Sequence, residues 1–184
     1  MNICVFCSAQ DVSEEYTEAA ECFGRLLGER GHTLVWGGSD RGLMRAVARG
    51  VKDSGGKLIA ISMELVKHKV HKNADETIIA KTLGERKALM LERSDAVIAL
   101  PGGMGTLDEI TEILALKRHG VHDKIALVLN TANFYGGLKT QLETMDHAGF
   151  FANLDNDVVE GLSRIVEFAD TPEDAMRYIE AHGH

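Results

Sequence analysis

No stretch of this 184-residue chain approaches the roughly 20 consecutive apolar residues that a membrane-spanning helix requires, so no membrane partner is expected. Residues Met1 to Phe6 carry no basic cluster, which gives no indication of a signal peptide and makes a cytoplasmic location the default expectation. Basic charge is in deficit. Twenty Lys and Arg stand against 28 Asp and Glu, a net charge of −8, which argues against nucleic acid gripped through its backbone phosphates. A small nucleotide bound at a local site remains compatible with that balance. Cysteine is sparse: Cys4, Cys7 and Cys22, an odd set with no export signal, read as reduced thiols. Cys4 and Cys7 have redox-like spacing, but on a strand residues three apart face opposite sides, which spoils chelation.

What the chain does contain is alternation. Apolar runs at Asn2–Cys7, His32–Trp36, Lys57–Ser62, 95–100, 124–129 and 164–168 predict strands, with a short further one at Glu76–Ile79. Between them, helical spacing predicts helices over Ser13–Arg30, from Leu43 to about Gly55, over Thr82–Arg93, from the glycine turn to about Lys117, over Tyr135–Ala148 and from Thr171 to about Ala181. Glu64–Ala74 is basic and irregular. Apolar strands alternating with amphipathic helices signify parallel βαβ units, so the expected fold is α/β, a Rossmann-like open parallel sheet with helices on both faces, in a single domain spanning residues 1–184. In such a sheet every strand-to-helix turn opens on one edge, and ligands bind there at the topological switch point. The turns at Ser8, Gly37–Gly42, Thr82 and Gly102–Thr106 should therefore share a crevice.

The chain centres on Pro101-Gly102-Gly103-Met104-Gly105-Thr106-Leu107-Asp108-Glu109. Glycines let a ligand approach the backbone, and the unpaired amides that open a helix point at any anion placed there. Thr106 with Glu109 three residues on has capping-box spacing, which predicts a helix beginning near Thr106; Thr82 and Glu85 repeat the pattern. The stretch reads as a phosphate cradle with a carboxylate beside it.

Rival nucleotide motifs fit less well. Gly37–Gly42 has Walker-like glycine spacing, but Leu43 occupies the place of the phosphate-binding lysine. Gly103-x-Gly105 is followed by Asp108 where a dinucleotide fold needs a third glycine. The pairs His68/His71 and His119/His122 lack a carboxylate in metalloprotease spacing, so neither a metal nor a cofactor is expected. What remains is a pairing across neighbouring units, with Arg86 and Lys87 early in one helix and Glu109 in the matching place of the next. On the residues alone, Glu109 is as consistent with capping as with catalysis, and Arg86 with a surface ion pair.

Glu85-Arg86-Lys87-Ala88-Leu89-Met90, followed by Pro101 to Glu109, resembles the Lonely Guy family of cytokinin-activating phosphoribohydrolases, whose members often carry a lysine-decarboxylase label. The family pattern is an R-K-x-x-M element and then P-G-G-x-G-T-x-x-E. The likeness extends to Trp36-Gly37-Gly38 and Gly42-Leu43-Met44. It implies cleavage of the N-glycosidic bond of a nucleoside 5′-monophosphate such as AMP or an N6-modified AMP, to free base and ribose 5-phosphate. It also implies a homodimer. Arg86 and Glu109 take the catalytic places. Ser8, Gly38, Lys87, Gly102, Gly103, Met104, Gly105 and Thr106 take substrate-binding ones.

The chemistry would follow from charge. A dianionic phosphate rests on the amides at Gly102–Thr106, and loss of the base leaves an oxocarbenium-like sugar. Glu109, near a helix N-terminus, is expected to favour its ionised form and face that cation, with Arg86 orienting it. Several residues depart from the family pattern: Ser39 in the glycine run, Cys7-Ser8-Ala9-Gln10 in the first turn, Ser62-Met63 after Ile61, Leu83-Gly84, and Leu114-Ala115. They fall around the base more than around the phosphate. The competing reading is a non-catalytic nucleotide or molybdenum-cofactor carrier, resembling carriers that share the fold and glycine turn but have no evident use for an Arg86–Glu109 pair. Pyridoxal-phosphate chemistry at Lys87 is a distant third.

Overall fold

The computed structural model describes residues 1–65, 71–151 and 161–183. Seven strands form one parallel sheet: β1 (Asn2–Phe6), β2 (Thr33–Trp36), β3 (Lys57–Met63), β4 (Glu76–Ala80), β5 (Ala96–Ala99), β6 (Ile125–Leu129) and β7 (Glu167–Ala169). Among the described residues there are six α-helices, five between strands and the last after β7: α1 (Glu14–Glu29), α2 (Gly42–Asp53), α3 (Leu83–Glu92), α4 (Met104–Arg118), α5 (Gly136–His147) and α6 (Pro172–His182). The spatial order is β4-β3-β2-β1-β5-β6-β7. The chain therefore winds outward from β1 to one edge, then restarts at β5 on the other side of β1. That reversal puts the switch point between β1 and β5, where Ile3 pairs with Ala96 and Phe6 with Ala99.

The central strands are apolar on both faces, as parallel strands covered by helices must be. Leu34, Trp36, Ile3 and Val5 point to a core shared with α1, α2 and α6. Cys4, Phe6, Val35 and Val97 point to a second core shared with Met90 of α3, Ile110 and Ile113 of α4, and Leu142 of α5. Cys4 and Cys7 thus lie in opposite cores, and burial pushes both thiols well above the ordinary cysteine range. The reading of both as inert thiols stands on that placement.

The predicted elements match with two shifts. Arg164, expected to begin a strand, instead closes a 3-10 turn over Leu162–Arg164, and β7 starts three residues later at Glu167. Helix α4 starts at Met104 with Gly103 as its N-cap, two residues before Thr106. Of the irregular Glu64–Ala74 stretch, residues 66–70 lie outside the described residues, as does His68. Among the described residues no helix is long and apolar enough to cross a membrane.

Candidate active site

Helix α3 delivers the guanidinium and helix α4 the carboxylate. Thr82 caps α3, its hydroxyl accepting the Glu85 amide at 3.1 Å, while the Glu85 carboxylate takes the Lys81 amide at 2.7 Å. The Thr82 half of the predicted box is therefore built at this helix, while Glu85 reaches past the N-cap amide to that of Lys81. The cap sets α3 so that Arg86, one turn in, reaches inward. The Nη1 of Arg86 donates to Glu109 Oε1 at 2.7 Å, and its Nε donates to the Ile61 carbonyl at 3.0 Å. The two side chains are only 12% and 8% exposed. A buried pair of this kind is worth little as a stabiliser, because desolvation offsets much of the attraction. Two charges held out of water with fixed geometry do suit a site.

The expected capping role of Glu109 is not what forms. With Gly103 as N-cap, Thr106 is the third helical residue and lies buried beneath Gly102, where a Cβ would meet Thr106 Oγ1 at 2.1 Å. Glu109 falls in the second turn and turns instead to Arg86. The expected bias towards ionisation is overturned with it. Burial raises the Glu109 carboxyl above the ordinary glutamate range, and the Arg86 guanidinium only partly offsets that rise. Six residues from the N-cap, the helix dipole has faded, so desolvation decides.

Gly37 explains how Arg86 fits. A Cβ there would stand 2.3 Å from Arg86 Nη2, so the guanidinium lies against a bare α-carbon. The next residue, Gly38, has φ +80° and accepts the His71 amide through its carbonyl at 2.8 Å. Ser8 ties the neighbouring turns together. Its amide donates to the Pro101 carbonyl at 3.3 Å, its carbonyl accepts the Met44 amide at 3.2 Å, and its hydroxyl accepts the Gln10 amide at 3.0 Å.

A cleft of about 360 Å³ opens here, at the carboxyl end of the sheet. Its walls include Ala9, Met44, Met63 and Leu83, with Arg86 at one side. The turns after β1 and β2 share this crevice with the end of β3 and the start of α3, whereas the Gly102–Thr106 turn, expected to open into it as well, does not line it. The Gly102–Thr106 turn stands beside it, joined through the Arg86–Glu109 pair and the Ser8–Pro101 bond. Within α4 the first main-chain bond is Leu107 N–H to Gly103 O at 3.0 Å, so the amides of Met104, Gly105 and Thr106 have no acceptor inside the helix. Gly103, Met104 and Gly105 are exposed, and Gly102 is half-buried.

Lys87 faces away from this arrangement. Its ammonium pairs with Asp108 at 3.1 Å and with Glu112, and those carboxylates raise its pKa. It would reach a ligand only by letting go of them. His122, one of the histidines at paired spacing, contacts the Ile113 carbonyl through Nε2 at 3.0 Å, and burial lowers its pKa. Among the described residues, no group of three or more His, Cys, Asp or Glu side chains is gathered to hold a metal ion. Sequence reasoning passed over Gly37, the Ile61 carbonyl and Tyr135, whose hydroxyl donates to the Leu100 carbonyl at 2.9 Å. The first signals itself only as one glycine in a run, and the other two act through contacts no local pattern reveals.

The chain is similar to known proteins in sequence and in fold. Residues 44–179 match the family model described as "Possible lysine decarboxylase". The cytokinin riboside 5′-monophosphate phosphoribohydrolase of Mycobacterium tuberculosis is 33% identical over 177 residues, covering 95% of this chain and 91% of that protein. The one from Mycobacterium marinum is 34% identical over 150 residues, covering 80% of each. An Arabidopsis thaliana protein of the same name is 34% identical over 160 residues, covering 85% of this chain and 74% of its own. Among solved structures, the molybdenum cofactor binding protein of Rippkaea orientalis superposes with a TM-score of 0.74 at 23% identity, covering 98% of this chain and 95% of that one. The molybdenum cofactor carrier protein of Chlamydomonas reinhardtii gives 0.72 at 21%, covering 98% and 96%. At those identities the superpositions speak for the fold alone. The family match and the long-range identity to the phosphoribohydrolases go further, and on them the chain belongs to the Lonely Guy family, the group that the lysine-decarboxylase description covers.

Proposed function

We propose that this protein hydrolyses the N-glycosidic bond of a nucleoside 5′-monophosphate, AMP or an N6-modified AMP such as a cytokinin riboside monophosphate, to free base and ribose 5-phosphate. The observation that carries the reading is the buried 2.7 Å contact between Arg86 and Glu109, with Arg86 lining the cleft and the open amides of α4 beside it. Family membership and the names of the relatives support it.

In this reading the phosphate dianion takes the amides of Met104, Gly105 and Thr106, with Gly102 and Gly103 allowing its close approach. Each charge-assisted hydrogen bond contributes about 1.5–3 kcal/mol, so two or three anchor the ribose while its other end reacts. The turns at Ser8 and Gly38 border the nucleoside. The C1′–N bond breaks with its electron pair leaving on the base, which takes up a proton from solvent, and a water oxygen bonds to C1′ as the sugar develops oxocarbenium character. Glu109, as carboxylate, faces that positive charge and receives the water's proton. Arg86 holds the carboxylate in register and opposes its protonation. Lys87 joins substrate binding by exchanging Asp108 and Glu112 for a ligand oxygen. The chain acts as a homodimer through the α3/α4 face, a reading supported by Leu83 and Met104, 60% and 80% exposed at the starts of those helices.

Adenine released from AMP, followed by chromatography, tests the reading: turnover by the native protein and none by Glu109→Ala is the expected result. Tight AMP binding with no adenine released would move the assignment to a nucleotide carrier. Sedimentation of the native protein at twice the monomer mass tests the dimer.

A further inference from the structure

The loop after β6 spends conformational strain on one side chain. Ala132 and Asn133 are both left-handed, at φ 52° and 59°, a region that non-glycine residues rarely occupy, least of all in succession. Such strain persists only where the surroundings over-determine it. Here they do. The Asn130 amide donates to the Ala169 carbonyl at 2.7 Å, anchoring the loop to β7. The Asn130 side-chain amide donates to Asp170 at 3.2 Å, and its Oδ1 accepts the Tyr135 N–H at 2.7 Å. Phe134 packs edge-on against Tyr135, with centroids 4.8 Å apart, and against Tyr16 of α1 at 5.5 Å.

This framework drives Tyr135 into the core, where it is 5% exposed. Its hydroxyl donates to the Leu100 carbonyl at 2.9 Å. Leu100 lies one residue past the end of β5 and two before Gly102, and the Gly102 main chain approaches the same phenolic oxygen. A buried tyrosine hydroxyl needs a partner, and this one has found it at the root of the glycine turn. Elsewhere the turn is held by the Ser8 amide on the Pro101 carbonyl, at 3.3 Å, and by Gly102 packed on Thr106. Gly103 and Gly105 have open space where a Cβ would be, and glycine has the largest freedom to lose on ordering.

We propose that Tyr135 is a positioning residue for phosphate recognition. Its hydroxyl fixes the Leu100–Gly102 segment, so that the amides opening α4 are already aligned when a nucleotide arrives. The inference rests on the proposed phosphate cradle for its ligand. It predicts that removing one oxygen 35 residues away in sequence is felt at the phosphate end of a nucleotide and not at the base end.

The test is Tyr135→Phe in the full chain, with calorimetric dissociation constants for AMP and for adenosine. AMP binding should weaken about tenfold, the effect of losing one well-placed hydrogen bond, with adenosine binding unchanged. In turnover, KM for AMP should rise while kcat stays within about twofold, since the anchoring contact is made equally in ground and transition states. Amide exchange at residues 102–104 should quicken in the free variant, with β1 and β5 amides unaltered. An unchanged AMP constant, or AMP and adenosine constants that rise together, overturns the proposal. So does a variant too unstable to assay, which would assign the hydroxyl to folding. A native protein that binds AMP more tightly than adenosine but releases no adenine would sink the hydrolase reading and leave the Tyr135 comparison still decisive.

Discussion

The two faces of the sheet are built on different terms. On the face of α1, α2 and α6, helices meet backbone to backbone: a Cβ on Gly24 would lie 2.1 Å from the Val47 carbonyl oxygen, and one on Gly50 would lie 2.3 Å from that of Glu21. Apolar residues there keep to one stripe, as Phe23 and Leu27 do on α1, and the rim is closed by charge, as in the 2.8 Å pair of Arg49 and Glu21. On the face of α3, α4 and α5 the helices carry apolar residues around more of their circumference. Met90 is the one fully buried residue of α3, whereas Leu83 and Met104 stand exposed. Helices α3 and α4 touch through charge, Arg86 with Glu109 and Lys87 with Asp108 and Glu112. The first face is finished within the chain. The second holds the buried Arg86–Glu109 pair and leaves apolar surface exposed, which is the arrangement the proposed chemistry and association would need.

Substitutions can break that division. Glu109→Gln, on the reactive face, should lower adenine release from AMP about 10²–10³-fold, the range for removing one preorganised charge-stabilising group. Its urea midpoint should stay near that of the native chain, because the amide oxygen still accepts from Arg86. A collapse in stability of the same size as the loss of activity would erase the distinction between the faces. Gly24→Leu should do the reverse, costing about 1–3 kcal/mol by overpacking α1 against α2, with turnover per folded molecule retained. Urea unfolding read by circular dichroism measures it.

The pH profile sharpens the comparison further. Burial raises the Glu109 pKa, so the carboxylate needed for turnover forms at higher pH than an ordinary glutamate would allow. The acid limb of kcat/KM for AMP should therefore lie above 4.5, the unperturbed glutamate value. Arg86→Ala removes the group that opposes the rise, and should move that limb further towards alkaline pH while lowering the plateau. A limb that shifts to acid would reverse the assigned electrostatics. The smallest effect is expected at the unclaimed surface. Leu83→Glu should change the folding free energy by no more than about 0.5 kcal/mol, as exposed substitutions do, while shifting the sedimenting species from dimer to monomer. If Leu83→Glu remains dimeric, the α3/α4 face is not the interface.

Much of this was legible in the chain. Strand–helix alternation specified the parallel sheet, and the separation of Arg86 from Glu109 in sequence hid nothing once both were placed early in neighbouring βα units. At Thr82 the cap formed as the spacing promised, although the Glu85 carboxylate closes on the Lys81 amide instead of the N-cap's own. The same spacing at Thr106–Glu109 misled, because Gly102 and Gly103 let α4 begin earlier and a buried guanidinium outbids an exposed amide for the carboxylate. The ionisation of Glu109 misled for a related reason: position on a helix is readable from sequence, but depth is not. Gly37 and Tyr135 act across the sheet, on Arg86 and Leu100, and contacts between distant segments leave no periodic trace.

The bare α-carbon of Gly37 has a practical reach. Anyone retargeting this cleft to another base has Met44 and Met63 to vary, since both line it and neither belongs to the proposed dimer face. Gly37 offers no such latitude. Even alanine would press on Arg86 Nη2 and make the guanidinium shift against its contact with Glu109. In this pocket the least conspicuous residue sets the boundary of what redesign can reach.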